Sequence, residues 1–227
     1  MIGDIMTISR LRMGTDGEGI STLVTFFDCP LHCKYCINDF CHEARTPYDN
    51  VPRGEYTPKE LVKILEKDDI YYRMTGGGVV FGGGEPLLQS AFIHEVCKLS
   101  DPKWQKRIET SLNVPWRCVE PVVDDIDEWI IDVKDMDSKI YERYTGVDDR
   151  YLKDNIYRLK ELVDKSKFHI RVPRIPGFND KENIRYSVKR IKDMLGVEAE
   201  VFDYINCPKS SKYEKVEIPD FLNRPNT

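Results

Sequence analysis

Cys29, Cys33, Cys36 and Cys41 all fall in the stretch DCPLHCKYCINDFC, residues 28–41, and the chain holds only three other cysteines. Thiolates are soft ligands that suit zinc or iron–sulfur centres. The spacing is C-x3-C-x2-C, followed by four residues and Cys41. A structural zinc site takes four closed ligands, often as two separated C-x-x-C pairs, and no second pair is present. Three thiolates on a four-iron cluster would leave one iron open, and an open position on a metal signals chemistry rather than structure. A second candidate is the glycine run GGGVVFGGGEPLLQ, residues 76–89. Glycines let backbone approach a ligand closely, and exposed backbone groups at a strand end can bind an amino or carboxylate group. A third is charge at strand ends: Asp132 and Lys134 in DVK, and Arg171 inside the apolar run FHIRVP. Read alone, Asp132 caps a loop and Lys134 is a surface charge. A guanidinium within an apolar strand needs an acidic partner, which Asp132, Glu109 or a cofactor carboxylate could supply.

These residues need a frame that brings them together. Six short apolar runs read as strands buried on both faces: 21–27, 78–82, 106–110, 127–133, 168–173 and 198–204. Helical patterns alternate with them. TPKELVKILEKD opens with Thr57 as N-cap, Pro58 in the first turn and Glu60 closing a capping box, with Leu61, Ile64 and Leu65 as its apolar stripe. Further stripes are Leu88, Phe92, Val96 and Leu99; Leu152, Ile156, Leu159 and Val163; and Ile184, Val188, Ile191 and Leu195. KDMDSK and KRIKDMLG read as solvated helix faces. Alternating strands and helices imply parallel βαβ units, in an open barrel or a doubly wound sheet. Ligands gather at the carboxyl ends of such strands, and the cysteine loop, the glycine run and DVK each follow a strand.

C-x3-C-x2-C with an aromatic before the last cysteine, here Tyr35, resembles the signature of the radical S-adenosylmethionine enzymes. The resemblance implies a partial, open, parallel (β/α)6 TIM-like barrel, in agreement with six strands, over a single domain of residues 1–227. It implies that Cys29, Cys33 and Cys36 hold a [4Fe–4S] cluster whose fourth iron is chelated by S-adenosylmethionine. Gly83, Gly84 and Glu85 match that family's GGE motif for the methionine amino group. Within the family the chain resembles glycyl-radical-enzyme activating enzymes of the pyruvate formate-lyase activating type. Asp16, Gly17, Gly19 and Ile20 match their D-G-P-G-I opening, with Glu18 for proline, and the resemblance ties Asp16 to the partner's glycine loop. Asn38, Glu109, Thr110, Ser111, Asp132, Lys134 and Arg171 carry over as cofactor-contacting positions, with Glu109 and Ser111 departing from the usual aspartate and asparagine. The reaction implied is one-electron cleavage of S-adenosylmethionine to a 5′-deoxyadenosyl radical, which removes a hydrogen atom from a backbone glycine of the partner. A flavodoxin or ferredoxin reductant is implied as well.

The chain also departs from that pattern. No histidine follows the sixth strand; DYINCPKSSKYEK offers Tyr204 or Asn206 instead. No cysteine lies between Cys41 and Gly82, so a ferredoxin-like insert is absent. The missing histidine leaves room for a radical enzyme acting on a peptide or small molecule, such as a carboxy-deazaguanine synthase. A zinc-binding interaction module built on Cys29, Cys33, Cys36 and Cys41 is the non-enzymatic alternative. Cys41 falls outside the three-cysteine pattern and reads as a packed or exposed thiol, Cys97 as core, and His32 as solvent-facing; Cys118 and Cys207 are too dispersed for a second cluster.

Composition bounds these readings. Apolar residues are 41% and charged residues 32% of 227, ordinary for a globular enzyme. Net charge is -5 with no long basic run, which argues against nucleic-acid affinity. No apolar run approaches the roughly 20 residues of a membrane span, and the first residues lack the apolar stretch of a secretory signal, so a reducing cytoplasm and no membrane partner are expected.

Overall fold

The computed structural model describes residues 1–42 and 54–204. Its strands are β1 (Gly3–Met13), β2 (Ile20–Phe26), β3 (Gly54–Tyr56), β4 (Gly78–Gly83), β5 (Gln105–Thr110), β6 (Glu128–Asp132), β7 (Phe168–Arg174) and β8 (Ala199–Asp203). The helices are α1 (Pro58–Leu65), α2 (Asp69–Thr75), α3 (Ser90–Leu99), α4 (Trp116–Val119), α5 (Ser138–Thr145), α6 (Arg150–Leu162) and α7 (Lys181–Leu195). One sheet runs in the order β3-β1-β2-β4-β5-β6-β7-β8. From β2 to β8 every neighbouring pair is parallel, whereas β1 lies antiparallel to both β2 and β3. The six runs read as strands are these parallel strands, and the sheet does not close: it is an open, partial barrel.

Sequence reading missed β1. It is interrupted by two register shifts, with Leu11 at φ 56°, and its residues Thr7, Ser9, Arg10 and Arg12 break the apolar continuity that marks its neighbours. Polar clamps seat it instead. Arg10 grips buried Asp68 at 2.8 and 2.6 Å, and Thr7 N–H donates to Thr25 Oγ1 at 2.9 Å.

The outward faces of the parallel strands meet the helices in one core. Phe81, Ile108, Trp129, Ile131, Ile170 and Val172 pack with Leu61, Leu65, Phe92, Val96, Leu152, Ile156 and Leu159. The capping box at Thr57 and Glu60 forms as expected. Three expectations change. Leu88 and Leu99 are exposed, because residues 86–89 make a 3-10 turn that resets the helical phase before α3, and Ile93 and Cys97 fill the stripe instead. β8 is not buried on both faces: none of its residues is fully buried, and among the described residues it pairs with β7 alone. KDMDSK is no solvated helix: Asp135 and Met136 are buried, Lys134 turns into the barrel, and α5 starts only after Asp137 caps it. KRIKDMLG does lie along α7, with Ile191, Met194 and Leu195 inward.

Candidate functional site

The strand ends frame one cavity of about 1000 Å³ that runs down the barrel lumen. Cys29, Cys33, Cys36, Asn38, Cys41, Gly83, Gly84, Thr110, Ser111, Asp132 and Lys134 line its carboxyl end, with Glu109 and Arg171 below them. No disulfide joins any described cysteine. Burial pushes the Cys29 thiol up, with the Glu85 charge adding to it; burial likewise raises Cys33, to about 11, against an opposing pull from Lys134. Thiols held in this way keep their protons until a metal centre displaces them. Among the described residues no three Cys, His, Asp or Glu side chains converge as a single tetrahedral ion requires. Three soft thiol donors in one loop at the cavity are of the kind that iron–sulfur clusters or zinc take. Cys41 is buried against Met6 and Phe27, and burial lifts its thiol to about 12, the behaviour of a packed thiol. His32 is exposed and stacks on His42 at 4.6 Å. Cys207 and Asn206 lie outside the described residues.

The glycine run earns its glycines by packing against the cysteine loop. Gly83 has φ +102°, and a Cβ there would lie 2.5 Å from Thr25 Cβ; one on Gly84 would lie 2.3 Å from the Asp28 carbonyl. Any side chain would force the two loops apart. Asn38 Nδ2 adds a bond to the Gly83 carbonyl at 3.3 Å, and Glu85 N–H donates to the Asp28 carbonyl at 2.7 Å. The Glu85 carboxylate does not face the cavity. It is wholly buried and accepts from Thr110 Oγ1 and Ser111 Oγ at 2.6 Å each and from Ser111 N–H at 3.0 Å. Burial raises its pKa, and those donors oppose the rise. Glu85 thus acts through Thr110 and Ser111, which do reach the cavity. Tyr35 also points away from it: its ring meets Tyr144, Phe178 and Tyr204, and its O–H donates to the Pro176 carbonyl at 3.3 Å.

Arg171 finds both of its candidate acids. Nε donates to Asp132 at 2.7 Å and Nη1 to Glu109 at 3.1 Å, while Lys134 Nζ reaches Asp132 at 3.2 Å. The parallel register sets Asp132 beside Arg171, which places opposite charges on neighbouring strands. Burial disfavours the Asp132 charge, but Lys134 and Arg171 outweigh it and hold the carboxyl below its ordinary range. For Lys134 burial again opposes, and Asp132 keeps the ammonium protonated. Burial lifts Glu109, with Arg171 resisting.

Asp16 stands apart from the cysteines. Its loop, Gly14–Gly19, joins the end of β1 to the start of β2, at the amino ends of the parallel strands. Asp16 is buried there, pairs with Arg12 (Nη2–Oδ1 3.0 Å) and lines the far end of the same cavity. A Cβ on Gly17 would lie 2.6 Å from Arg107 Nε. Sequence reading missed Arg12 and a second layer of charges: Arg107, Glu128, His169 and Glu200. Arg107 Nε donates to Glu128 at 2.7 Å, and His169 Nε2 lies 2.7 Å from Glu200. The signal was available, since Arg107 and His169 precede Glu109 and Arg171 by two positions and so share their face.

The chain is similar to several known proteins. A protein named pyruvate formate-lyase-activating enzyme, from Clostridium pasteurianum, is 31% identical over 96% of this chain and 88% of its own length. One named 4-hydroxyphenylacetate decarboxylase activating enzyme, from Clostridioides difficile (strain 630), is 36% identical over 70% of this chain, which spans about half of it (47%). The crystal structure of Streptococcus suis SuiB bound to S-adenosylmethionine matches 88% of this chain and 44% of its own with a TM-score of 0.62 and 18% identity, a likeness of fold. The sequence profile of the Radical SAM superfamily matches residues 23–188, from β2 with its cysteine loop into α7. With three thiols and a lysine–aspartate–arginine group opening on one cavity at the strand ends, the chain belongs to the radical SAM superfamily, which implies S-adenosylmethionine and an iron–sulfur cluster as the groups its cavity holds.

Proposed function

We propose that this chain abstracts a hydrogen atom from a backbone glycine of a partner glycyl radical enzyme, with a [4Fe–4S] cluster on Cys29, Cys33 and Cys36 and with S-adenosylmethionine. The observation that carries this reading is the shared cavity: the three cysteines, Thr110 and Ser111, and the Asp132–Lys134–Arg171 group all border it. When bound, cluster and cofactor supply one-electron C–S cleavage and a 5′-deoxyadenosyl radical. The protein's own residues do the rest. Gly83 and Gly84 let the strand end lie close under the cysteine loop. Thr110 and Ser111 border the cavity, their hydroxyls held by buried Glu85. Lys134 keeps positive charge beside Cys33, favouring its thiolate, and Arg171 fixes Asp132 and Glu109 in the lumen. A cofactor and partner seated in the cavity would displace water, which limits quenching of a reactive radical.

The reading treats residues 1–227 as one functional domain, reduced by a flavodoxin or ferredoxin in the cytoplasm. Among the described residues no helix is long and apolar enough to cross a membrane. The test is electron paramagnetic resonance of a candidate glycyl radical enzyme after anaerobic incubation with reconstituted protein, S-adenosylmethionine and reductant. A glycine-centred doublet on the partner supports the reading. 5′-Deoxyadenosine formed only with a free peptide or small molecule, and no doublet, would transfer the site to another radical substrate.

A further inference from the structure

The open seam of the barrel poses a mechanical problem. Among the described residues β8 is the last strand of the sheet, and none of them forms a strand beyond it that ties it to the cysteine loop by backbone pairing. The loop must nevertheless hold Cys33 and Cys36 steady, because a cluster and its ligand tolerate little drift. On one side α5 does this: His32 N–H donates to the Thr145 carbonyl at 2.7 Å, and Lys34 N–H to the Tyr144 carbonyl at 3.1 Å. On the seam side there is Tyr204, the residue that follows β8.

We propose that Tyr204 is a positioning residue whose hydroxyl clasps the Tyr35 carbonyl, one residue before Cys36, and so fixes the cysteine loop across the open seam. Tyr204 O–H donates to that carbonyl, a contact that joins residues 169 positions apart. The base of the clasp is firm, since Tyr204 N–H donates to the Arg174 carbonyl at 3.1 Å and prolongs the β7–β8 ladder by one rung. The rings support it: Tyr35 lies 6.2 Å from Tyr204, 6.2 Å from Tyr144 and 5.7 Å from Phe178. Tyr204 meets Tyr144 edge-on at 6.3 Å. Tyr35 O–H ties the same loop to Pro176, in the connection after β7. Tyr204 also lines the cavity with Cys33, Cys36 and Lys134, so a shift of its ring moves the wall of the site itself. Burial raises the Tyr204 pKa and keeps the hydroxyl a donor. The residues 32–36 are thereby held from both sides, by backbone bonds to α5 and by a side-chain bond to the end of β8.

The inference rests on the proposed cluster site for its consequence, and its first test does not need the cluster. Hydrogen exchange of the full-length protein, before and after reconstitution, compares wild type with Tyr204→Phe and Tyr204→Ala. Tyr204→Phe keeps the ring and removes the hydroxyl that makes the clasp; Tyr144→Phe, which keeps that hydroxyl and its bond to the Tyr35 carbonyl, is the control for the neighbouring Tyr144 contact and should leave exchange of residues 32–36 near wild type. Amides of residues 32–36 should exchange about fivefold faster in Tyr204→Phe, the factor a typical net hydrogen bond contributes, while β4–β6 amides stay unchanged. Tyr204→Ala should loosen the loop further. In reconstituted protein, Tyr204→Phe should bind S-adenosylmethionine about fivefold more weakly at an unchanged iron content, with an altered cluster resonance on addition of the ligand. Exchange in Tyr204→Phe equal to wild type would overturn the clasp, as would tighter ligand binding. Failure of wild type to bind S-adenosylmethionine would overturn the cluster reading and leave the exchange result to decide the clasp.

Discussion

Two polar layers cross the lumen on the same strands. The upper one joins Glu109 of β5, Asp132 of β6 and Arg171 of β7, with Lys134 just beyond; the lower one joins Arg107, Glu128, His169 and Glu200 on β5 to β8. One-face residues on a strand recur every second position, so the layers stack roughly 7 Å apart on β5 and β7. Each pairs cations with carboxylates across neighbouring strands. They differ in which cations they use. Lys134 and Arg171 are held protonated by their acids, and this layer borders the thiols. The lower layer includes a histidine, whose charge depends on pH. The same alternation has thus produced a fixed electrostatic floor beneath the cysteines and a second, titratable layer far from them.

The largest expected effect comes from breaking the upper layer. Arg171→Met leaves Asp132 and Glu109 facing each other partly desolvated, and removing one member of such a group costs about 3–5 kcal/mol. Denaturant unfolding of the full chain checks this, and 5′-deoxyadenosine formation should fall with it. Next is Glu85→Ala, which strips buried Thr110 and Ser111 of their acceptor. Each unsatisfied group costs about 1–3 kcal/mol, so a loss of about 2–4 kcal/mol is expected in unfolding experiments, together with weaker S-adenosylmethionine binding.

In the lower layer the expected losses are smaller. Arg107 is buried, bonds Glu128 through Nε and leaves Nη1 without a hydrogen-bond partner. Arg107→Met removes that orphan as well as the ion pair, so stability should fall by only about 1–2 kcal/mol. 5′-Deoxyadenosine formation should stay within about twofold of wild type. Loss of turnover in folded Arg107→Met would make the lower layer part of the reactive site and erase the distinction.

The smallest effect is pH-dependent. The bond to Glu128 raises the His169 pKa, burial opposes it, and Glu200 adds to the rise. A raised histidine stabilises the fold fully below its unfolded value, near 6.5, and loses that contribution as pH climbs through the folded value. The melting-temperature difference between wild type and His169→Gln should therefore shrink as pH rises from about 6. A difference that grows with pH would contradict the pairing.

Much of this frame was legible because neighbouring constraints agreed. The parallel strands are continuous apolar runs, α1 carries its capping box in the sequence, and C-x3-C-x2-C fixes three thiols in one loop. Arg171 was legible as a residue in need of an acid, and both acids named for it bind it. Other features depended on tertiary partners. β1 is polar, bulged and clamped by Asp68 and Thr25 from far along the chain. Glu85 reads like a ligand residue in its motif, but its direction is decided by the hydroxyls of Thr110 and Ser111. Asp16 was singled out by its motif alone, and only the curved sheet shows that its loop enters the lumen from the end opposite the cysteines. The role of Tyr204 needs the open seam to be seen.

The most direct test is 5′-deoxyadenosine release by anaerobically reconstituted protein given S-adenosylmethionine and dithionite, with Cys33→Ala as the comparison. Wild type should hold four irons in its cluster and release the nucleoside, whereas Cys33→Ala should release none. Turnover that survives in Cys33→Ala, or wild type that binds one zinc and releases nothing, would contradict the assignment of these thiols to a radical-generating cluster.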